Sequence, residues 1–351
     1  MRTPGLCWIG RLVVTIVTIL LSVIVVPTSR AAGEHSLRTL AQSQGRMIGT
    51  AVKSAAMLSD GAYRDTLVSQ FSLVTPENAM KFGPLSPARG HYDFADADAI
   101  VAFAEAHGMR VRGHTLVWHN QLPDWLTNGQ WSRDELIQIL HEHISTVVGH
   151  YRGRLYAWDV VNEAVNDDGT LRDSIWLRGI GPEYIELAFR WAREADPDVL
   201  LFYNDYNGEG AGVKADAIYA LVADLKQRGV PIDGVGLQMH VAIDWWPATE
   251  DVAANMQRLA DLGLQAHITE MDVRVPQSPS PDALTRQAEV YGQMLQVCLA
   301  AENCTAFSLW GFADNHSWIP QFFPGWGDAL VFDSAYQPKP AFHELLTHLN
   351  A

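Results

Sequence analysis

The chain has 351 residues, 48% of them hydrophobic, and 25 basic against 40 acidic side chains give it a formal charge of −15. That length holds one large domain or two ordinary ones. So acidic a surface repels nucleic-acid backbone and anionic lipid, which argues against both partners and leaves neutral polymers open. Twelve Trp and ten Tyr are many for the length; they either fill a core or, as flat amphipathic rings, stack on sugar faces.

The first residues carry Arg2 and Arg11, and positions 12–26, LVVTIVTILLSVIVV, are fifteen residues without a charge. A small-residue stretch, PTSRAA, follows. This is the layout of a secretory signal peptide over residues 1–32, cleaved near Ala31 or Ala32. The rival is a retained anchor, because the apolar run is only slightly short of a bilayer. A chain starting after Ala31 loses Arg2, Arg11 and Arg30, keeping 22 basic against 40 acidic residues, a net −18. The expectation is an exported, extracellular protein with no membrane contact after cleavage. Cys7 leaves with the leader. Cys298 and Cys304, five residues between them, then form one local disulfide in an oxidising compartment or remain two buried thiols. Two thiols without further ligands make a poor zinc site. Asn303-Cys304-Thr305 and Asn315-His316-Ser317 match the glycosylation sequon, a weak signal.

From residue 47 onward, short β-rich runs alternate with helical periods. The strand runs are MIGTAV at 47–52, FSLVTPE at 71–77, MRVRGHTLVW at 109–118 and RLYAWDVVNE at 154–163. VLLFYND at 199–205, GVGLQMH at 234–240, LQAHITEMD at 264–272 and CTAFSLWG at 304–311 complete the set. Val, Ile, Leu, Phe and Tyr dominate them, and Gly, Asn or Asp often punctuate their ends. Between them, residues 93–107 set Phe94, Ile100, Val101 and Ala104 on one side. Ser132 and Glu135 have capping-box spacing at the start of a helix running towards Gly149. Residues 182–195, 212–228, 249–262 and 282–302 repeat the helical period, and FDSAYQPKPAFHELLTHLN ends the last unit.

Eight strands, each followed by a helix, point to parallel pairing with right-handed crossovers. An open doubly wound sheet would more often carry a Gly-rich phosphate loop after its first strand, and MIGTAVKSAAM has none. The expected fold is therefore α/β, a single-domain (β/α)8 TIM barrel over residues 33–351.

Reactive groups in such a barrel gather at the C-terminal strand ends. Seven consecutive ends carry them here: Glu77, Asn78 and Lys81; His114, Trp118 and His119; Asn162 and Glu163; Asn204 and Asp205; Gln238 and His240; Glu270 and Asp272; and Trp310. Two facing carboxylates, one protonated and one ionised, are what cleavage of a glycosidic bond requires. Glu163 and Glu270 belong to the fourth and seventh strands, whose ends face each other across the mouth. A separation of about 5–5.5 Å would make the pair a retaining, double-displacement one. The alternative on pattern alone is that either Glu binds a neighbouring Arg or loop amide.

WDVVNEA at 158–164 and ITEMD at 268–272 resemble the acid/base and nucleophile motifs of glycoside hydrolase family 10, the endo-β-1,4-xylanases. PENAMK at 76–81, GHTLVWH at 113–119, YNDYN at 203–207, GLQMH at 236–240 and LWGFADNHSW at 309–318 resemble that family in its order, over residues 37 to 348. The resemblance implies the barrel fold, hydrolysis of xylan and xylo-oligosaccharides with retention, and no metal or organic cofactor. Carried over by position, Glu163 is the general acid/base and Glu270 the nucleophile. An ionised Glu270 favours a protonated Glu163 by like-charge repulsion, and the pair titrates as a unit. His240 hydrogen-bonds the nucleophile, and Asp272 fixes its tautomer. Asn162 contacts the 2-hydroxyl of the reacting sugar. Glu77, Asn78, Lys81 and His114 bind two sugars on the non-reducing side. Asn204, Gln238 and His119 are further hydrogen-bonders, while Trp118, Trp310 and Trp318 are apolar cleft walls, Trp310 beneath the reacting sugar.

Histidines 114, 119 and 240 show no tight metal-ligand spacing. Trp245 and Trp246 line the leaving-group side or cover the barrel rim, and PQFFPGWGDALVF at 320–332 is expected to wall the cleft. The contacts of His316 are open. Rival readings are a β-1,4-glucanase or mannanase on the same barrel, and a non-catalytic carbohydrate-binding protein. No added binding module is visible after residue 330, and a monomer is expected.

Overall fold

The computed structural model describes Met1, Arg2, Pro4, Gly5 and residues 35–351. The expected leader, with Cys7 and its cleavage site, falls outside the described residues apart from those first four. Ten strands are present among them: β1 (Met47–Val52), β2 (Leu73–Pro76), β3 (Arg110–Val117), β4 (Ala157–Asn162), β5 (Leu200–Asp205), β6 (Gly234–Leu237), β7 (His240–Ala242), β8 (Gln265–Pro276), β9 (Ala306–Leu309) and β10 (Trp326–Gly327). β1 to β6 pair in chain order, β6 pairs with β8, β8 with β9, and β9 returns to β1; all these pairings are parallel. The result is the eight-stranded (β/α)8 TIM barrel. Closure leaves none of these eight strands with an open edge.

Helices cover the outside through apolar stripes at helical spacing. In the helix Arg133–His150 the buried residues are Leu136, Ile139, Leu140, His143, Ile144, Val147 and Val148, steps of three and four that place them on one face. Ser132 caps it as the sequence implies, its hydroxyl accepting from the Glu135 amide while the Glu135 side chain accepts from that of Ser132. His143 within the stripe stacks on Phe82 at 3.5 Å, and burial lowers its pKa to about 3, so it packs as a neutral ring. In the helix Ala95–Ala106 the buried face is Ala97, Ile100, Val101 and Ala104; Phe94 caps the end and stacks on His150 at 3.9 Å.

The barrel interior is partly polar. Arg112 and Asp159 form an ion pair there, each about 1% exposed, with His114 Nδ1 3.0 Å from the same carboxylate and Phe202 under the guanidinium at 4.5 Å. Burial would raise the Asp159 pKa, but Arg112 and His114 outweigh it and hold the carboxyl below its usual value.

Two departures from the expected strands shape the mouth. The run 234–240 is not one strand: β6 stops at Leu237, Met239 takes a left-handed φ of 64°, and β7 begins at His240. The run ending at residue 272 instead continues to Pro276. Its outer half pairs with β7 on one side and antiparallel with β10 on the other, giving a small three-stranded flap on the rim.

Cys298 and Cys304 are joined, tying the last turn of the helix Pro281–Ala300 to the approach of β9. Of the two sequon asparagines, Asn303 is half-buried, its amide donating to the carbonyls of Met256 and Leu264 at 3.0 Å each. Among the described residues no helix is long and apolar enough to cross a membrane. Replacing both cysteines with alanine should cost about 2 kcal/mol, because so short a loop removes little entropy from the unfolded chain. Calorimetry should show a fall of a few degrees in Tm; a Tm unaffected by the change would contradict a stabilising bridge.

Candidate active site

Glu163 follows β4 directly, and neighbouring residues of a strand point to opposite faces. Here the backbone breaks that rule. Glu163 has a left-handed φ of 55°, with its N–H donating to the Asn204 carbonyl at 2.8 Å. Its side chain thereby turns into the same space as Asn162, and the Gln238 amide donates to both, at 3.2 Å to Asn162 Oδ1 and 3.1 Å to Glu163 Oε1. Such a backbone costs on the order of 1–2 kcal/mol outside glycine. Arg172 helps to hold it: Nε donates to the Glu163 carbonyl at 2.8 Å, and Nη2 to the Tyr206 hydroxyl at 2.8 Å. Trp118 Nε1 donates to Glu163 Oε2 at 2.9 Å, and His119 Nδ1 lies 4.0 Å from that oxygen. Burial lowers the His119 pKa against the pull of Glu163.

Glu270, on β8, is 4% exposed and held from two sides. Asn204 Nδ2 donates to Oε1 at 2.7 Å, and His240 Nε2 lies 3.2 Å from Oε2. The other nitrogen of His240 meets Asp272 Oδ2 at 2.9 Å, and the same oxygen accepts from Trp318 Nε1 at 2.7 Å. Burial alone would lower the His240 pKa. The Asp272 charge and hydrogen bond, joined by those of Glu270, raise it instead from 6.5 to about 10. At neutral pH this histidine is a cation between two carboxylates.

The two glutamates share one lattice of amides. Asn204 Nδ2 also donates to Asn162 Oδ1 at 2.8 Å, its Oδ1 accepts from the Thr269 hydroxyl at 2.8 Å, and Asn162 Nδ2 reaches Glu163 Oε1 at 3.1 Å. Asn204 is fully buried, so it supports Glu270 from below rather than lining the open cleft. Space for it comes from Gly236 on the next strand, where an added Cβ would sit 2.1 Å from Asn204 Oδ1. Behind Glu163, Tyr203 accepts from the Ala164 amide at 3.1 Å and donates to Asp205. Asp205 pairs with Lys214 at 2.9 Å. Burial, partly offset by Lys214 and Tyr203, raises the Asp205 pKa to about 6.

Across the mouth, Lys81 Nζ donates to Asn78 Oδ1 at 3.0 Å and stands over the Trp118 ring at 4.9 Å. Burial lowers its pKa while Glu270, Glu77 and Glu163 raise it, so all three acids face this cation. Glu77 has its own pKa raised by burial, opposed by Lys53 and Lys81. Lys53 Nζ lies 3.5 Å from Glu77 and donates to the His316 carbonyl at 2.8 Å. The His316 ring meets the Tyr336 hydroxyl at 3.0 Å, which in turn donates to Asp60 at 2.5 Å. Trp310 is 8% exposed and edge-on to His114 at 5.1 Å, a floor more than a wall. Trp118 and Trp318 are walls with a second task, since each gives its indole N–H to an acid of the site. Trp246 is half-buried with Nε1 on Gln293, whereas Trp245 is 50% exposed at the turn after β7.

Sequence reasoning missed Lys53, Arg172, Thr269 and Gly236. Lys53 directly follows β1 and was findable as the one strand end left unread; Arg172 sits in a loop with no strand signal. For a metal, His114, Asp159 and Glu270 alone among the described residues bring three ligand atoms within 4.8 Å. Asp159 is already committed to Arg112, whose guanidinium opposes a second cation there.

A TIM barrel whose mouth holds two carboxylates on one amide lattice is the architecture of a glycoside hydrolase. The chain belongs to Glycosyl hydrolase family 10, whose sequence profile matches residues 36–348. It is 48% identical over 312 residues to endo-1,4-beta-xylanase B of Thermotoga neapolitana, covering 87% of this chain and 89% of that one. It is 40% identical over 336 residues to endo-1,4-beta-xylanase D of Talaromyces funiculosus, covering 95% and 82%. Among solved structures, xylanase 10B of Thermotoga petrophila in complex with xylobiose superposes with a TM-score of 0.88 at 47% identity, over 90% of this chain and 97% of that one.

Because the folded pKa of His240 is raised, the stability it contributes is complete below 6.5 and disappears as pH climbs through about 10. His240→Asn should therefore cost about 3 kcal/mol near pH 6, by leaving two buried carboxylates uncompensated. The Tm gap to wild type should close by pH 10.5. A gap independent of pH would contradict a charged histidine.

Proposed function

We propose that this chain is a retaining endo-β-1,4-xylanase that cuts internal bonds of xylan by double displacement, with Glu270 as nucleophile and Glu163 as general acid/base. The observation that carries the reading is the shared amide lattice, in which Asn204 and Asn162 link the carboxylate of Glu270 to that of Glu163. Support for the substrate comes from the relatives, named endo-1,4-beta-xylanases, and from the xylobiose in the Thermotoga petrophila complex.

In the first step Glu163 gives its proton to the glycosidic oxygen as the bond to the anomeric carbon breaks, and Glu270 attacks that carbon to form an ester. The leaving chain departs as an alcohol. Glu163, now a carboxylate, takes a proton from water, whose oxygen attacks the same carbon and frees Glu270. Two inversions leave the configuration unchanged. His240 and Asn204 hold Glu270 aimed before attack; Asp272 and Trp318 keep His240 in place. Asn162 meets the sugar 2-hydroxyl. Glu77, Asn78, Lys81 and His114 hold sugars on the non-reducing side, and Gln238 and His119 hydrogen-bond near the acid/base. Trp118, Trp310 and Trp318 enclose the reacting ring. No step draws on a cofactor. The protein works as a monomer outside the cell once residues 1–32 are removed.

Glu270→Ala should abolish hydrolysis while binding of xylo-oligosaccharides persists, and Glu163→Ala should lower kcat on xylan by roughly 10²–10⁴-fold. Early NMR spectra of the product should show the β anomer. Undiminished hydrolysis by the Glu270 variant would remove it as nucleophile, and an initial α anomer would exclude double displacement. Wild-type enzyme should turn over xylan much faster than carboxymethyl-cellulose or mannan; a faster rate on either would replace the substrate.

A further inference from the structure

We propose that Arg274, framed by Phe323 and Trp326, is a subsite for the carboxylate of a uronic-acid branch on the xylan backbone; this rests on the reading of the cleft as a xylan-cleaving site. Alternate residues of a strand share a face, so Glu270, Asp272 and Arg274 on β8 line the same wall. The pairing of His240 with Asp272 and of Ala242 with Arg274 continues that wall beyond the barrel onto the flap. At about 3.3 Å per residue, Arg274 lies roughly 13 Å along the strand from Glu270. Arg274 thus stands above the carboxylates on the rim of the seventh barrel strand, whereas Glu77, Asn78 and Lys81 follow the second.

The guanidinium is half-buried yet makes no hydrogen bond or ion pair with any described residue. Its carbon sits 4.4 Å from the Phe323 ring centre and 5.7 Å from that of Trp326. Asp272, the nearest acid along its own strand, is committed to His240 and Trp318. Asp244, exposed in the turn after β7, forms no ion pair with it. Arg112 and Arg172, by contrast, spend their donors inside the protein. An arginine whose planar fork is held against aromatic faces with its donors free suits a carboxylate, which accepts two parallel N–H bonds.

The surroundings fit a sugar rather than a small anion. Five large hydrophobic side chains are exposed among the described residues, and two belong to the segments beside this arginine: Trp245 at 50%, bridged to the Ala242 that pairs with Arg274, and Phe322 at 62%, the chain neighbour of Phe323. Phe322 continues the aromatic line from Trp318, their ring centres 5.1 Å apart. Sugar faces pack on such rings while the branch carboxylate meets the cation. In a chain of net charge −15, a polymer carrying uronates is repelled overall, and a cation on the cleft wall gives it a local point of attachment.

The test compares kcat/KM of wild type, Arg274→Met and Arg274→Lys on three substrates: unbranched xylan, uronate-branched xylan, and the same branched polymer with its carboxylates reduced to alcohols. Arg274→Met should lose roughly fivefold on the uronate-branched polymer alone, the scale of a partly exposed charge pair. Arg274→Lys should recover part of that loss, and the difference should shrink at high salt. An equal fall on all three substrates would overturn the proposal and make Arg274 a brace for the loop carrying Phe323. No fall on the charged polymer would overturn it as well. A wild type inactive on unbranched xylan would instead defeat the xylanase reading itself.

Discussion

One amide group, that of Asn204, holds the centre of this protein together. Its nitrogen is divided between Glu270 and Asn162, and its oxygen is fixed by Thr269. Asn162 then passes the constraint to Glu163, and Gln238 closes the loop by touching both Asn162 and Glu163. Residues from β4 and β5, the short segment after β6, and β8 are thereby locked in one network. A rotation at any point would leave a buried polar group unpaired, at a cost of about 1–3 kcal/mol. The barrel supplies strand ends of fixed spacing, and the amides convert that spacing into side-chain geometry.

Charge is arranged around the same network in two shells of opposite purpose. The His240 cation stands between Asp272 and Glu270, so the proposed nucleophile sits beside a positive charge. Lys81 adds a second cation facing Glu270, Glu77 and Glu163. Deeper in the barrel, Arg112 and Asp159 neutralise each other and orient His114 towards the mouth. On the far side of Glu163, Asp205 is buried with Tyr203 and Lys214. The acid/base thus has the Asp205–Lys214 pair and the Arg172 guanidinium behind it, while the carboxylate of the nucleophile lies directly against the His240 cation. That asymmetry matches the roles proposed for them, one group shuttling a proton and the other staying ionised until it attacks.

The sequence exposed the periodic features and concealed those that break the period. β1 matched its run residue for residue, and the helix opened by Ser132 and Glu135 began where the capping box placed it, because both depend on local chemistry. The strand ends with Glu77, His114, Glu163, His240 and Glu270 were readable because barrel topology assigns reactive groups to that rim. The split of 234–240 at Met239 was hidden, since nothing in GLQMH marks a left-handed residue. Nor does Glu163 itself announce the φ of 55° that aims it. Gly236 read as an ordinary strand glycine, although its missing side chain makes room for Asn204. Arg172 and Lys53 act through contacts with residues far along the chain or with backbone carbonyls, which no periodicity encodes. The tryptophans were expected as apolar surfaces, and the structure adds the donor role of Trp118 and Trp318.

The central claim, that the carboxylate held by Asn204 and His240 becomes covalently bonded to sugar, can be tested without altering the protein. A xylobioside carrying fluorine at C2 and a good leaving group at C1 slows breakdown of an ester intermediate enough for it to accumulate. Proteolysis and mass spectrometry of the inactivated enzyme should then find one glycosyl group on the peptide containing Glu270. A label on Glu163 or on any other acid would contradict the account, as would inactivation with no sugar attached.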